Sequence, residues 1–314
     1  MIQVIASAEL AVNERIEIRR NRISNRPKNG ASGKRVCIVT GTHGDELEGQ
    51  YVCAEVAKIL TENKELLNGT VDIYPALNPL GIDSINRGIP LFDLDMNRIF
   101  PGSADGTMAE CLAADIIADI SGADICIDIH SSNIYLKEIP QIRINEISAE
   151  ELIPYAKMLN CDFIWVHSSA TVLESTLAYS LNTTGTKTLV VEMGVGMRIT
   201  REYCRQLTIG IFQLLKNLGM WEGETEAVRE PIISSDHAVD FVNSDADGIF
   251  VPCVDHWVDI KKGEHIGDVL NPVTGKTVEY VVAPCDGRIF TLREFPVVYG
   301  GSLIARILGG KADA

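Results

Sequence analysis

No apolar run in this 314-residue chain comes near the roughly 18–20 residues that cross a bilayer, so a membrane-spanning role is not expected. The opening Met1-Ile2-Gln3-Val4-Ile5-Ala6 lacks a basic region followed by a long apolar segment, and reads as a strand, not a secretion signal. Basic residues are outnumbered, 28 Lys and Arg against 43 Asp and Glu, for a net charge of −15. A phosphate backbone is repelled by such a surface, which sets nucleic acid aside as a partner. The acidity does not select a cationic substrate, because a local pocket can carry the opposite sign. No Cys-x-x-Cys pair occurs among the eight cysteines, and Cys37, Cys126 and Cys161 sit inside apolar runs. They read as reduced core residues of a cytoplasmic protein, not as a disulfide framework or a zinc knot. There is no Gly-x-Ser-x-Gly elbow, which disfavours a serine esterase. Gly30-Ala31-Ser32-Gly33-Lys34 fails as a phosphate loop: Lys28 stands where the first Gly belongs and Arg35 replaces the Ser or Thr.

What is present is ordinary in amount, 46% apolar and 23% charged, and sufficient for one large domain plus a small one. Strands are expected at Ile2–Ala6 and Arg15–Arg19, then a loop over Pro27–Lys34. From Val36 to Leu218, apolar strands alternate with helical periodicity. The strands are Val36–Thr40, Val71–Pro75, Asp124–Ile129, Phe163–His167 and Thr188–Glu192; the helices are Leu47–Thr61, Thr107–Ile120, Ala149–Leu159, Leu173–Leu181 and Thr200–Leu218. Near-continuous apolar strands alternating with helices predict an α/β fold: a mostly parallel or mixed sheet covered on both faces. Residues 223–237 are polar and read as a linker between a unit at 1–222 and a β-rich domain at 238–314. There, short strand-like runs such as Ile260–Gly267 and Val282–Ile289, separated by Gly, Pro and Asp turns, suggest a small barrel. The stretch resembles the biotinyl/lipoyl hairpin domain but lacks that family's modified Lys, so a swinging arm is not expected.

In open α/β sheets, ligands bind beyond the carboxyl ends of the strands. His43 closely follows the first apolar strand of the alternating region, His130 directly follows Asp124–Ile129, and Glu192 ends its own strand. His43 and Glu46 stand three apart where a loop enters a helix, and residues at that spacing can converge on one metal. Two imidazoles and a carboxylate form the donor set of a catalytic zinc, with a fourth position left open. Taken alone, His-x-x-Glu is weak, since a Glu at a helix start also favours the helix dipole. The flanking Thr40-Gly41-Thr42 and Gly44-Asp45 make a backbone-permissive turn. Asp128 lies two residues before His130 on the same side of the strand, where it either orients a ligand or caps a neighbouring loop. Between them runs a long segment expected to lack regular structure, Asn78–Arg87 and Asp93–Gly102. Its Arg87 and Arg98 can clamp a carboxylate and an oxyanion, or be ordinary surface arginines. His167, His237, His256 and His265 are read as structural or solvated.

The ordered set Gly-Thr-His-Gly-Asp-Glu, Asn-Pro-…-Arg, Asp-x-Asn-Arg-x-Phe-Pro-Gly, Asp-x-His and Val-Glu-Met-Gly resembles the succinylglutamate desuccinylase/aspartoacylase family, zinc carboxypeptidase-like hydrolases. The resemblance implies a zinc-exopeptidase-like fold with one Zn2+ held by His43, Glu46 and His130, and Glu192 as general base. It implies that Arg87 polarises the scissile carbonyl, that Asn97 and Arg98 hold the substrate carboxylate, and that Asp95 supports His43. Aspartoacylases carry a further arginine shortly before the catalytic Glu; here Asn182–Lys187 has none, so N-acetylaspartate is not the expected substrate. Arg143 and Arg198 are left without a motif. The expected activity is hydrolysis of the amide of a small N-acyl amino acid. The alternatives are a metallocarboxypeptidase acting on short peptides and a non-catalytic binding protein on a degenerate hydrolase fold. Self-association is left open.

Overall fold

A computed structural model describes residues 1–25, 33–168 and 174–309. The strands in chain order are β1 (Ile2–Glu9), β2 (Arg15–Asn25), β3 (Arg35–Thr40), β4 (Gly69–Tyr74), β5 (Ile125–Ser131), β6 (Leu136–Asn145), β7 (Phe163–His167), β8 (Lys187–Gly194) and β9 (Ile232–Ser235). The remainder are β10 (Val239–Asn243), β11 (Gly248–Pro252), β12 (Asp259–Ile260), β13 (His265–Asn271), β14 (Lys276–Val282), β15 (Gly287–Arg293), β16 (Val297–Val298) and β17 (Leu303–Gly309). The helices are α1 (Glu48–Glu62), α2 (Pro79–Ser84), α3 (Met108–Ile120), α4 (Ala149–Ala156), α5 (Leu177–Thr183) and α6 (Arg201–Asn217).

A 13-stranded mixed sheet runs β1-β2-β4-β3-β5-β8-β6-β15-β17-β10, and β14-β13-β11-β16 form a second, antiparallel sheet. At its centre β4, β3, β5 and β8 are parallel. All seven residues of β5 are buried, which is why its first half, Ile125-Cys126-Ile127, is apolar on both faces; the polar Asp128, His130 and Ser131 lie toward its carboxyl end. Successive side chains point to opposite faces. Ile127, Ile129, Leu189 and Val191 therefore pack with the α1 stripe Val52, Val56 and Leu60 and with α6. Val39 and Cys126 pack on the other side with Leu112 and Ile116 of α3 and Leu177 of α5. Helix α3 starts at a capping box, Thr107 with Glu110, that satisfies its first amides. No helix among the described residues is long and apolar enough to cross a membrane.

Four differences from the sequence expectation stand out. Strand β2 runs on to Asn25 because its charged residues find a buried partner. Asp72 on β4, with no exposed side-chain surface, takes Arg22 at 2.6 Å and Arg35 at 2.7 Å, with Arg20 at 3.6 Å. The segment Asn78–Gly102 is not wholly irregular: Asn78 caps α2, and Met96–Arg98 form a 3-10 turn. Lys137, Glu138, Pro140 and Arg143 interrupt any apolar alternation, yet Leu136–Asn145 is β6, antiparallel to β8 and parallel to β7. Through β6, strand β15 of the C-terminal region joins the large sheet. Residues 232–235, within the stretch expected as a linker, form β9 on β7. Of the loop expected at Pro27–Lys34, only Gly33 and Lys34 are among the described residues, and Leu173, the expected first residue of a helix, lies outside them.

The Asp72 cluster gives a stability test. Burial raises its carboxyl pKa, but Arg22 and Arg35 outweigh burial and hold it below the usual range. A depressed folded pKa contributes stability above the unfolded value of about 3.9, lost as pH falls through the folded value. Asp72→Asn should cost about 1–3 kcal/mol at neutral pH, because it removes the buried anion that Arg22 and Arg35 share while Arg20 and Arg35 keep other partners. It should also flatten the acid limb of a urea stability profile. An unchanged midpoint at pH 7 would remove the cluster from the stability account.

Candidate metal centre

The turn after β3 is set by two glycines. Gly41 has φ +70°, a conformation that costs a side-chain-bearing residue strain. Gly44 packs backbone to backbone on α2: a Cβ there would stand 2.0 Å from the Gly81 carbonyl carbon. Its amide donates to the carbonyls of Asn86 and Arg87 at 3.1 and 3.2 Å. The turn that carries His43 and Glu46 is thereby stitched to the segment that carries Arg87.

Across the sheet, His130 is the next-to-last residue of β5, and the β5–β8 register sets it opposite Glu192. The three expected metal ligands converge. His43 Nδ1 lies 2.7 Å from Glu46 Oε1, and His130 Nδ1 lies 2.9 Å from Glu46 Oε2. One donor atom from each of the three fits within 4.8 Å of the others, so the cluster can hold a metal ion. The outward nitrogens have carboxylates: His43 Nε2 is 3.1 Å from Asp95 Oδ1, and His130 Nε2 is 3.3 Å from Asp128 Oδ2. Asp128 thus faces the imidazole of His130, as the orienting role requires. Carboxylates on the far nitrogens orient imidazole ligands and raise their basicity.

Electrostatics favour a cation at this place. Burial opposes charge on His43, yet Asp95 and Glu46 raise its pKa above the usual value. Burial opposes it again at His130, and the charges of Asp128 and Glu46 carry its pKa well above. Burial pushes the Glu46 carboxyl up, and the two histidines hold it well below the carboxylate range. Partial burial raises the pKa of the half-buried Asp95, but His43 and Arg87 pull it down to about 2. Three carboxylates around two imidazoles demand positive charge, which protons or a divalent ion can supply. The donor set, imidazole and carboxylate without thiolate, fits zinc in an open site.

Arg87 Nη1 donates to Glu46 Oε1 at 3.0 Å, and its Nε is 3.6 Å from Asp95 Oδ2. The expected carboxylate clamp is anchored by backbone groups. Asn97 Oδ1 accepts from the Leu177 amide at 2.9 Å, and the exposed Arg98 donates to the Asn97 carbonyl at 2.7 Å. Their hydrogen bonds among the described residues do not go to the His43–Glu46–His130 cluster.

The half-buried Glu192 has Oε1 at 3.4 Å from Arg143 Nη1. Burial raises the Glu192 pKa, with the Glu138 charge adding to it and Arg143 opposing. Arg143 in turn donates to both oxygens of Glu138, at 3.1 and 2.9 Å, and Arg306 of β17 donates to Glu138 from the other side. Both guanidinium groups also lie within 6 Å of the Trp165 ring, at 5.6 and 5.7 Å. Arg143 carried no motif, and nothing local marks Glu138 or Arg306; the three meet only because β15 and β17 continue the sheet past β6. Arg198 lines a different cleft, with Glu294 and Phe295.

Comparison with known proteins supplies the lineage. Residues 32–218, more than half the chain, match the succinylglutamate desuccinylase/aspartoacylase catalytic domain. The chain belongs to that family. It is 28% identical over 295 residues to the N-alpha-acetyl-L-2,4-diaminobutyric acid deacetylase of Halomonas elongata, covering 88% of this chain and 82% of the relative. Its fold is shared with a succinylglutamate desuccinylase/aspartoacylase from Rhodobacter sphaeroides, at TM-score 0.81 and 24% identity, over 98% of this chain and 95% of that one. It is shared as well with the product-bound ectoine utilization protein of Ruegeria pomeroyi, at TM-score 0.79 and 22% identity, over 94% and 90%.

Proposed function

We propose that the protein is a zinc-dependent deacylase that hydrolyses the amide bond of a small N-acyl amino acid. The observation that carries the reading is the convergence of His43 Nδ1, His130 Nδ1 and the Glu46 carboxylate, with Glu192 in register beside them. These three residues would hold the ion. When bound, zinc supplies Lewis acidity, which polarises an acyl carbonyl and lowers the pKa of water. Glu192 accepts a proton from the attacking water and returns it to the leaving amine. Its raised pKa suits a group that must both take and give a proton. Arg87 swings from Glu46 to the developing oxyanion. Arg143 fixes the Glu192 carboxylate, and Asp95 and Asp128 hold the two imidazoles with Nδ1 turned inward. The name of the Halomonas relative supports an N-acyl amino acid over a peptide. We place the reaction in the cytoplasm, in keeping with eight cysteines that are all free. The hydrolase unit spans residues 1–222, and the β-rich region begins after residue 237.

Asn97 and Arg98 would receive the substrate carboxylate. A charge-assisted contact contributes about 1.5–3 kcal/mol, which is about ten- to a hundredfold in kcat/KM. A screen of N-acyl amino acids, their α-amides and short peptides on zinc-analysed protein tests this. The free acids should turn over fastest, the amides about ten- to a hundredfold slower, and Arg98→Ala should remove that gap. Preferred cleavage of peptides would replace the reading with a carboxypeptidase, and equal turnover of acid and amide would discard the clamp.

A further inference from the structure

Beside Glu192 lies a cavity of about 540 Å³ under α5, lined by Arg143 and Asn145 of β6, His167 of β7, Thr188 and Val190 of β8, and Tyr179 of α5, among others. It adjoins the candidate centre in two ways. Val190 precedes Glu192 by two residues and shares its face of β8. Arg143, in the cavity wall, reaches Glu192. At the other end, α5 begins at Leu177, whose amide is bound by Asn97. The cavity therefore runs beneath α5 along β8 on the amino-terminal side of Glu192, and its Arg143 and Val190 end adjoins the proposed base, within reach of the part of an amino acid beyond its amide nitrogen and carboxylate.

We propose that this cavity receives the side chain of the N-acyl amino acid and selects an uncharged side chain over a cationic one, with Arg143, His167 and Val190 setting the choice. The inference rests on the deacylase reading and names its substrate class.

Charge is the first argument. Among the described residues, Arg143 is the one charged group in the lining, and no carboxylate is present there. The carboxylates just behind the lining already have partners: Glu138 is matched by Arg143 and Arg306, Glu192 faces Arg143, and Asp236 faces His167 Nδ1. An ammonium entering the cavity would lose its hydration and meet a guanidinium instead of an anion. An anionic side chain is not favoured either, because Arg143 already serves Glu138 and Glu192.

His167 reports the same field. Burial and the Arg143 charge push its pKa down to about 4, although Asp236 at 3.0 Å pulls the other way. An environment that keeps an imidazole neutral beside a carboxylate disfavours any second cation. With Asp236 against Nδ1, the Nε2 atom is left buried and without a partner among the described residues. A neutral imidazole with its proton on Nδ1 presents Nε2 as an acceptor. Most other polar lining is already occupied: Asn182 binds both the amide and the carbonyl of Thr188, and Thr183 and Thr188 bond to backbone carbonyls. What remains is an apolar wall, Ile144, Leu152, Ala178 and Val190, with the His167 Nε2 acceptor and the Arg143 Nε donor, which is likewise buried and without a partner among the described residues: a place for a methionine- or glutamine-like side chain.

The test measures kcat/KM of the zinc-loaded full chain on N-acetyl-L-methionine, N-acetyl-L-glutamine and N-alpha-acetyl-L-2,4-diaminobutyrate. Calorimetric titration with the three free amino acids, as products, accompanies it. Both readouts should favour the uncharged compounds by about tenfold or more, the loss expected when a desolvated ammonium lacks a counter-charge. Val190→Asp should swing both readouts toward diaminobutyrate. Ile147→Asp, at the exposed cavity mouth, should do so more weakly and covers the case in which the first variant fails to fold. Selective product binding without turnover of any acyl compound would overturn the deacylase reading and leave the pocket assignment standing. Equal or preferred binding of diaminobutyrate, or no binding of any of the three, would overturn the pocket assignment.

Discussion

Glu192→Gln should keep zinc content and KM near those of the unmodified protein and lower kcat by about 10²–10⁴-fold, the range a positioned general base contributes. The structure gives three reasons to expect a separation of chemistry from binding. Glu192 is outside the metal cluster, so the donor set of His43, Glu46 and His130 is intact in the variant. An amide has the size and planarity of the carboxylate, and its oxygen can still face Arg143 Nη1, 3.4 Å away. What the amide cannot do is accept a proton. A fall in kcat with KM unchanged marks an interaction made in the transition state alone. The measurement is steady-state kinetics beside zinc analysis of the same preparation. Turnover within a few-fold of the unmodified protein would take Glu192 out of the mechanism.

Glu192 was legible because it ends an apolar run. The same holds for His130, and nearly so for His43. A buried parallel strand announces itself by composition, and the residue at its carboxyl end inherits a defined place. The main helices were legible through their stripes and caps: α1 begins one residue past Leu47, and α3 one past its Thr107 cap. What sequence could not show were polar residues buried by distant partners. Arg143 lies five residues from Glu138, but the cluster closes only through Arg306, 168 residues from Glu138. Strand β6 was hidden for the same reason, since the ions that interrupt its apolar pattern are paired across the sheet. Asp72 draws Arg22 and Arg35 from two strands and lengthens β2 beyond what local propensity supports. The turns of the C-terminal region were readable, but not where its strands go. β15 and β17 join the hydrolase sheet, and Phe290 of β15 packs between Phe163 and Trp165 of β7. The proposed preference of the cavity for an uncharged side chain is equally invisible in the sequence, because it depends on burial and Arg143 outweighing Asp236 at a His167 that reads as structural from sequence alone.

Glu46→Gln should have the other large effect, and of a different kind: loss of the ion itself. Both oxygens of Glu46 are used, Oε1 facing His43 and Arg87, and Oε2 facing His130 and the Ser131 amide. A glutamine keeps one acceptor and puts an NH2 group against an imidazole nitrogen or the guanidinium of Arg87. It also removes the only anion among the three donors. Loss of an outer-shell partner costs about 10–100-fold in metal affinity, and loss of a ligand should exceed that. Zinc retained through desalting should fall from about one ion per chain to a small fraction, with activity lost in proportion. The folded state gives an independent readout. Zinc that binds the native chain alone raises its melting temperature by mass action; the unmodified protein should show that shift, and Glu46→Gln should not. In chelator the difference has the same sign and another source. The Glu46 carboxyl is held below its usual range, so in the metal-free protein it contributes stability above an unfolded pKa of about 4.3, lost as pH falls through the folded value. The variant should therefore be less stable than the unmodified protein in chelator at pH 7, and the gap should narrow as pH falls below about 4.3. A variant that keeps one tightly held zinc and its turnover would assign the metal to other ligands, and a gap that persists unchanged in acid would attribute the destabilisation to packing instead of charge.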